Sequence, residues 1–178
     1  MIFRLSQKLN DKIGAGRLPA LPLDENPFAD WSATLFTADR TQYILVSNTK
    51  SLYSTVLYGK GITNDSRFIE RALSSIREFM EDDGLGFIYH RFIVPNSGTV
   101  RFAKALNRSI TGSINELMRF AEYVLIDDDD VSPHDLGFKF NDFLLSAIAP
   151  TKAEGYGKPR EAFKAMGVGQ PTEEEREA

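Results

Sequence analysis

Several groups of residues have types and spacings that could do chemistry. Residues 87–112 carry Arg91, Arg101, Lys104 and Arg108 and no acid, interleaved with Phe87, Tyr89, Phe92 and Phe102. Cations that reach phosphates, set beside rings on which bases stack, are one way to hold single-stranded nucleic acid. The same spacing follows from a half-buried strand, whose alternation sends aromatics inward and arginines outward with no ligand. A second group is Asn107-Arg108-Ser109 at the head of a predicted helix, with Arg40 at a predicted hairpin tip. A cation at a helix N-terminus opposes the dipole, so Arg108 calls for an acidic side chain or a bound anion. If Arg40 converges with Arg108, Asn107 and Ser109, the four could position an anionic substrate by bidentate hydrogen bonding. Asn107 or Ser109 serves equally well as a simple N-cap.

Other motifs fail on inspection. Gly59-Lys60-Gly61 lies between a predicted strand and helix, where backbone amides could cradle a phosphate. It lacks the G-x-x-x-x-G-K-[ST] pattern of a P-loop, and glycines suffice to end a strand. Residues 127–130 are four aspartates. A calcium loop also needs Gly at position 6 and Glu at position 12. Counted from Asp128 those positions hold Pro133 and Lys139, and from Asp127 they hold Ser132 and Phe138. His134-Asp135 would need further metal ligands, and His90 is the only other histidine. No G-x-S-x-G is present, and Gly112-Ser113 falls inside a predicted helix rather than on a nucleophile elbow.

The elements that would position these residues follow from local pattern. Residues 2–5 fit a short strand, and Ser6 can cap a helix over 7–13 that Gly14 ends. Residues 17–28 hold three prolines and read as an extended linker packed by its leucines. Trp31, after that linker, reads as a core plug. β-Branched and aromatic runs over 32–38, 42–48 and 51–58, with short polar links, predict an antiparallel meander. Apolar residues at helical spacing predict helices over about 65–83 and 109–126. Residues 87–94 and 99–105 flank Pro95-Asn96-Ser97-Gly98 and predict a second hairpin. A short strand is expected near 137–145 and a last helix over 158–166, with Pro159 in its first turn. The fold class expected is α+β: an antiparallel sheet, built from the meander and the second hairpin, covered on one face by two amphipathic helices.

Composition sets the outer bounds. The chain has 178 residues, 13 Phe, no Cys, and Lys+Arg 21 against Asp+Glu 25. A chain this long buries roughly 70% of its extended surface, enough for one core without staples. The expected organisation is one domain over 1–167 and an acidic tail over 168–178. With no cysteine there is no disulfide framework, thiolate zinc site or Cys nucleophile. No apolar run approaches a membrane span, and the N-terminus lacks a signal-peptide apolar region. A cytoplasmic location is expected. The net charge of -4 argues against general nucleic-acid binding while leaving room for a basic patch.

TADRTQYILVSNTKSLYSTVLYGKGI (residues 37–62) and FAKALNRSITGSINEL (residues 102–117), with the opening MIFRLSQKL and Trp31 after the linker, carry a resemblance. The chain resembles an uncharacterised family of small bacterial proteins, a domain of unknown function, over residues 1–167. The resemblance implies a bacterial, cytoplasmic, single-domain protein and supplies no chemistry.

No cofactor or metal is expected. The residues that would bind a ligand are Arg40, Arg91, Arg101, Lys104, Asn107, Arg108 and Ser109. The functional expectation is a non-enzymatic interaction or regulatory module whose partner is a protein or single-stranded nucleic acid. The alternative is a small enzyme or binder of an anionic, phosphate-bearing ligand. A homo-oligomer through an edge strand is the third expectation.

Overall fold

A computed structural model describes residues 1–167; the expected acidic tail lies outside the described residues. Strand β1 (Ile2–Leu5) is buried along its whole length. It ends at Ser6, which caps α1 (Gln7–Ile13) by accepting from the Leu9 amide, and Gly14 closes that helix at φ 67°. The linker runs on to β2 (Asp30–Ala38), which opens the expected meander with β3 (Thr41–Asn48) and β4 (Ser54–Tyr58). Asp39 and Arg40 both take positive φ (46° and 65°) and form a two-residue turn, the geometry that matches strand twist in a hairpin.

Between β3 and β4 the chain turns through Leu52, at φ 62° and fully buried. A left-handed leucine costs about 1–2 kcal/mol, and burying its side chain returns about 1.5–3 kcal/mol. The turn thereby sends Leu52 to one face of the sheet and Tyr53 to the other.

The sheet order is β4-β3-β2-β1-β5, where β5 is Arg101–Ala103. β1 runs parallel to both of its neighbours. The sheet is therefore mixed rather than antiparallel, because the connection through α1 and the linker returns β2 alongside β1 in the same direction. The helices α2 (Asp65–Asp82) and α4 (Arg108–Asp127) also lie on opposite faces, not on one. Phe3, Leu5, Trp31, Ala33, Ile44 and Val46 pack with Phe68, Ala72, Ile76 and Phe79 of α2. Phe36, Tyr43, Leu45 and Val56 pack with Ile110, Ile114, Leu117 and Ala121 of α4.

The second hairpin does not form. Its first arm is helical: α3 (Gly86–Ile88), then a π-helical turn (Tyr89–Ile93) and a 3-10 turn (Val94–Asn96). Burial there recurs at Ile88-Tyr89 and at Phe92-Ile93, four residues apart, which is a helical spacing that aromatic and β-branched content disguises. The strand expected near 137–145 does not form: its first part lies in α5 (Pro133–Phe140), and of the rest only Leu145 pairs, in an isolated bridge with Gly157. Ser132 and Asp135 form a capping box around Pro133 at the start of α5, a signal strong enough to begin a helix. The last helix, α6 (Pro159–Ala165), falls where expected. No helix among the described residues is long and apolar enough to cross a membrane.

α5 packs onto α2 through a glycine. A Cβ at Gly137 would stand 2.5 Å from the Phe79 ring, which is fully buried. Gly137→Ala is expected to destabilise the fold by about 1–3 kcal/mol through overpacking. Urea denaturation reads this as a lower midpoint at unchanged slope; an unmoved midpoint would mean that Phe79 can turn aside.

Candidate functional site

The seven expected ligand-binding residues are all exposed; Asn107, Arg108 and Ser109 adjoin at the head of α4, and the other four lie elsewhere along the chain. Arg40 sits on the β2–β3 turn. Arg91 lies in the π-helical turn with its guanidinium 5.2 Å from the Phe92 ring centroid. Arg101 borders a cleft of about 290 Å³ that also holds Asp24 and Glu25. Lys104 shares a shallow depression of about 460 Å³ with Arg17, Leu18, Pro19 and Ala20. Asn107 is the N-cap of α4, accepting from the Ile110 amide at 2.9 Å, and Arg108 and Ser109 follow it.

Arg40 does not converge with Arg108. α4 reaches the hairpin through Met118 and Glu122, which line a groove with Phe36, Thr37 and Gln42. Arg108 is ten residues before Met118, about 15 Å back along the helix axis. The aromatic rings of the basic stretch are spent on packing. Phe92 stacks on Phe28 at 4.7 Å, Phe102 lies 6.2 Å from Phe68, and Tyr89 is buried. Among the four rings, Phe87 alone stands in solvent.

Two polar constellations, one buried and one largely at the surface, are not revealed by local pattern. Arg4, on the otherwise apolar β1, is 2% exposed and faces Asp30, which is 0% exposed. Its Nε donates to Asp30 Oδ1 at 2.9 Å, and its Nη2 donates to Asp30 Oδ2 at 2.8 Å. The remaining donors go to the carbonyls of Leu21, Lys104 and Pro22 at 2.8, 3.1 and 2.9 Å. Asp30 Oδ2 also accepts from the Asp24 amide. Every donor of the guanidinium fork is used, so Arg4 has none left for a ligand.

The second constellation surrounds the end of α2, where Glu81, Asp82 and Asp83 follow one another. Consecutive positions on a helix point about 100° apart, and each carboxylate meets a different partner. Glu81 is 3.5 Å from His90 Nε2, and Asp82 is 2.8 Å from His134 Nε2. Asp83 accepts from the Tyr53 hydroxyl at 2.7 Å and from Arg160 Nε and Nη2 at 3.1 and 3.0 Å. Arg160 Nη1 also pairs with Asp142. Both histidines of the chain are thus engaged with carboxylates of α2.

Burial, followed by the hydrogen bond and charge of Asp83, pushes the Tyr53 phenol far above its ordinary value, so it remains a proton donor. Burial works against the Arg160 charge, but hydrogen bonds to Asp83 and Asp142 outweigh it and raise its pKa. Next to this cluster the Asn141 side chain donates to the Ser54 carbonyl and accepts from the Ser54 amide, closing the outer edge of β4 as a further strand would. Phe163 of α6 stacks on Tyr53 at 4.4 Å, with Phe28 at 5.1 Å and Trp31 at 6.0 Å. The cluster is a clasp that holds α6 rather than a site with a free acid, base or nucleophile.

One cavity lies where ligands gather in sheets with parallel strands, outside the carboxyl ends of β1 and β5. It measures about 110 Å³ and is lined by Ser6, Thr34, Leu106, Ile110, Thr111 and Asn115, among others. That is room for a few waters and well short of the roughly 300 Å³ of small-molecule sites. Among the described residues no group of His, Cys, Asp and Glu is placed to hold a metal ion.

Sheet, helices and paired interior define a small domain of mixed α and β structure. The chain belongs to the family described as Domain of unknown function (DUF6933), whose model matches residues 2–162. No curated protein and no solved structure matches it.

Two outcomes test the clasp. Phe163→Ala should cost about 3–5 kcal/mol, because a fully buried ring is removed from three aromatic neighbours; a loss under about 1 kcal/mol by chemical denaturation would mean that α6 is not part of the cooperative fold. In a spectrophotometric titration at rising pH, the Tyr53 phenolate should appear only as the protein unfolds. Tyr53→Phe should remove that late component, and an unchanged titration curve in this variant would place Tyr53 among the freely ionising tyrosines.

Proposed function

We propose that the protein is a non-catalytic interaction module that binds a protein partner through its surface charge and apolar contacts. The observation that carries the reading is the charge on α4. The helix begins with Arg108, has no acid in its first turn, and ends at Asp127 followed by Asp128, Asp129 and Asp130. Both ends oppose the macrodipole, each at about 0.3–1 kcal/mol. None of these side chains takes part in an ion pair among the described residues. A partner of complementary charge relieves the opposition at either end, while the buried Arg4 and Asp30 are occupied with each other.

A second reading, a binder of a phosphate-bearing ligand, is supported by Arg17 and Lys104 bordering one depression. The experiments separate the two. Affinity capture from the native host at low salt should recover a protein partner that is lost as ionic strength rises. Capture of none, or a mobility shift with single-stranded DNA or RNA in its place, would remove the first reading. A rise in melting temperature with nucleotides or phosphate esters, abolished by Arg17→Ser and Lys104→Ser, would establish the second.

A further inference from the structure

Of the seven large apolar side chains exposed among the described residues, Tyr123, Ile126, Leu144 and Tyr156 lie on the C-terminal half of α4 or on the loop packed against it. Phe120 and Tyr123 are one turn apart on a flank of α4, and Asp127 is the next residue in that row. Phe143 closes against Phe120 edge-on at 4.7 Å, and the exposed Leu144 follows it in the chain. Leu145 and Gly157 bridge as an antiparallel pair, with Leu145 buried against the α4 core. By strand alternation Leu144 and Tyr156 project to the opposite, outward side. Tyr123 and Leu144 are 66% and 63% exposed.

The charge beside this apolar strip is concentrated at its Asp127–Asp130 end. Asp127, Asp128, Asp129 and Asp130 stand at the end where the α4 dipole is already negative, and all four are exposed. We propose, building on the reading of an interaction module, that the strip Phe120, Tyr123, Phe143, Leu144 and Tyr156 docks an amphipathic segment of a protein partner. Aliphatic or aromatic anchors of that segment cover the rings, and its Lys/Arg-rich end lies over Asp127–Asp130. The apolar contact supplies affinity, and the charge sets orientation and encounter rate. Residues 168–178 are themselves acidic, with Glu173, Glu174, Glu175 and Glu177, and so do not complement the aspartates.

The test uses the full chain and a fluorescein-labelled amphipathic Leu/Lys helix, with a scrambled peptide of the same composition and a Leu/Glu analogue. Anisotropy should show the Leu/Lys helix binding tighter than either control by on the order of tenfold or more. The double variant Tyr123→Ser/Leu144→Ser should weaken it by a similar factor. Replacing the four aspartates by Asn should weaken it and flatten its dependence on salt. The replaced side chains are exposed, so unchanged circular dichroism and melting temperature are expected, and they separate lost binding from lost folding.

Equal binding of the scrambled peptide, or full binding by the double variant, would overturn the proposal. So would concentration-dependent self-association that the double variant abolishes, which would assign the strip to a second copy. A host partner captured equally by wild type and double variant would remove this surface and leave the interaction reading standing. Failure to capture any partner would remove that reading instead.

Discussion

The bidentate pair of Arg4 and Asp30 is the interaction on which the architecture turns. Taking both charges out of water costs several kcal/mol per ion, and only near-complete hydrogen bonding offsets it. The structure meets that demand by bringing the chain to the guanidinium. The carbonyls of Leu21 and Pro22 come from the linker, and the Lys104 carbonyl comes from the chain leaving β5. Parallel pairing sets Ile2 beside Asp30 and Arg4 beside Ser32, so Arg4 and Asp30 are diagonal neighbours on one face. A slip of one residue would send Arg4 to the opposite face, into Phe3, Leu5 and the α2 core, with no carboxylate. The pair therefore specifies the register of β1 against β2, the path of the linker and the entry to α4. Truncating either partner would strand a buried charge, a loss of about 3–5 kcal/mol, whereas replacing both with apolar residues can be near neutral.

A second constraint grows from the same requirement at the other end of the molecule. Three consecutive carboxylates at the end of α2 would oppose its dipole if left alone. His90, His134 and Arg160 stand beside them and join the π-helical turn, α5 and α6 respectively to the end of α2, the Arg160–Asp83 pair being the least exposed of the three. α6 has seven residues, too few to hold a helix in water by itself. It persists because Arg160 is tied to Asp83 and Asp142 and Phe163 fills the socket of Phe28, Trp31 and Tyr53.

What could be read in advance divides along sequence separation. α1, α2, α4 and the meander were legible because each is set by its own period, caps and turn residues. The pairing of β1 with β5 joins residues about a hundred apart and leaves no local trace. The turn chemistry of Pro95-Asn96-Ser97-Gly98 was real, but it closes a 3-10 turn instead of a hairpin. Rings at 87–92 looked like strand residues although their burial has helical spacing. The capping box Ser132-Pro133-His134-Asp135 is a local signal for α5, whereas the apolar residues after Gly137 had suggested a strand. Among the candidate ligand residues, the Asn107 cap was foreseen. Neither Arg4 nor Arg160 was singled out, because a buried cation is recognised only by its partners, and those are distant in sequence. The split of Arg40 from Arg108 depends on where along α4 the hairpin packs, which pattern does not encode.

The contrast between interior and surface charge bears on what the fold is for. Inside, Arg4 uses every donor, and at the end of α2 Glu81, Asp82 and Asp83 each face a basic side chain. α4 shows the reverse economy. Its buried stripe of Ile110, Ile114, Leu117 and Ala121 anchors it to the sheet, so its stability does not depend on favourable ends. A helix secured in that way tolerates a cation at its N-terminus and four aspartates at its C-terminus. That tolerance leaves a rigid element free to carry opposite fields at its two ends, with exposed rings between them. In the proposed interaction, such an arrangement would orient a partner along the helix axis without requiring the fold to move.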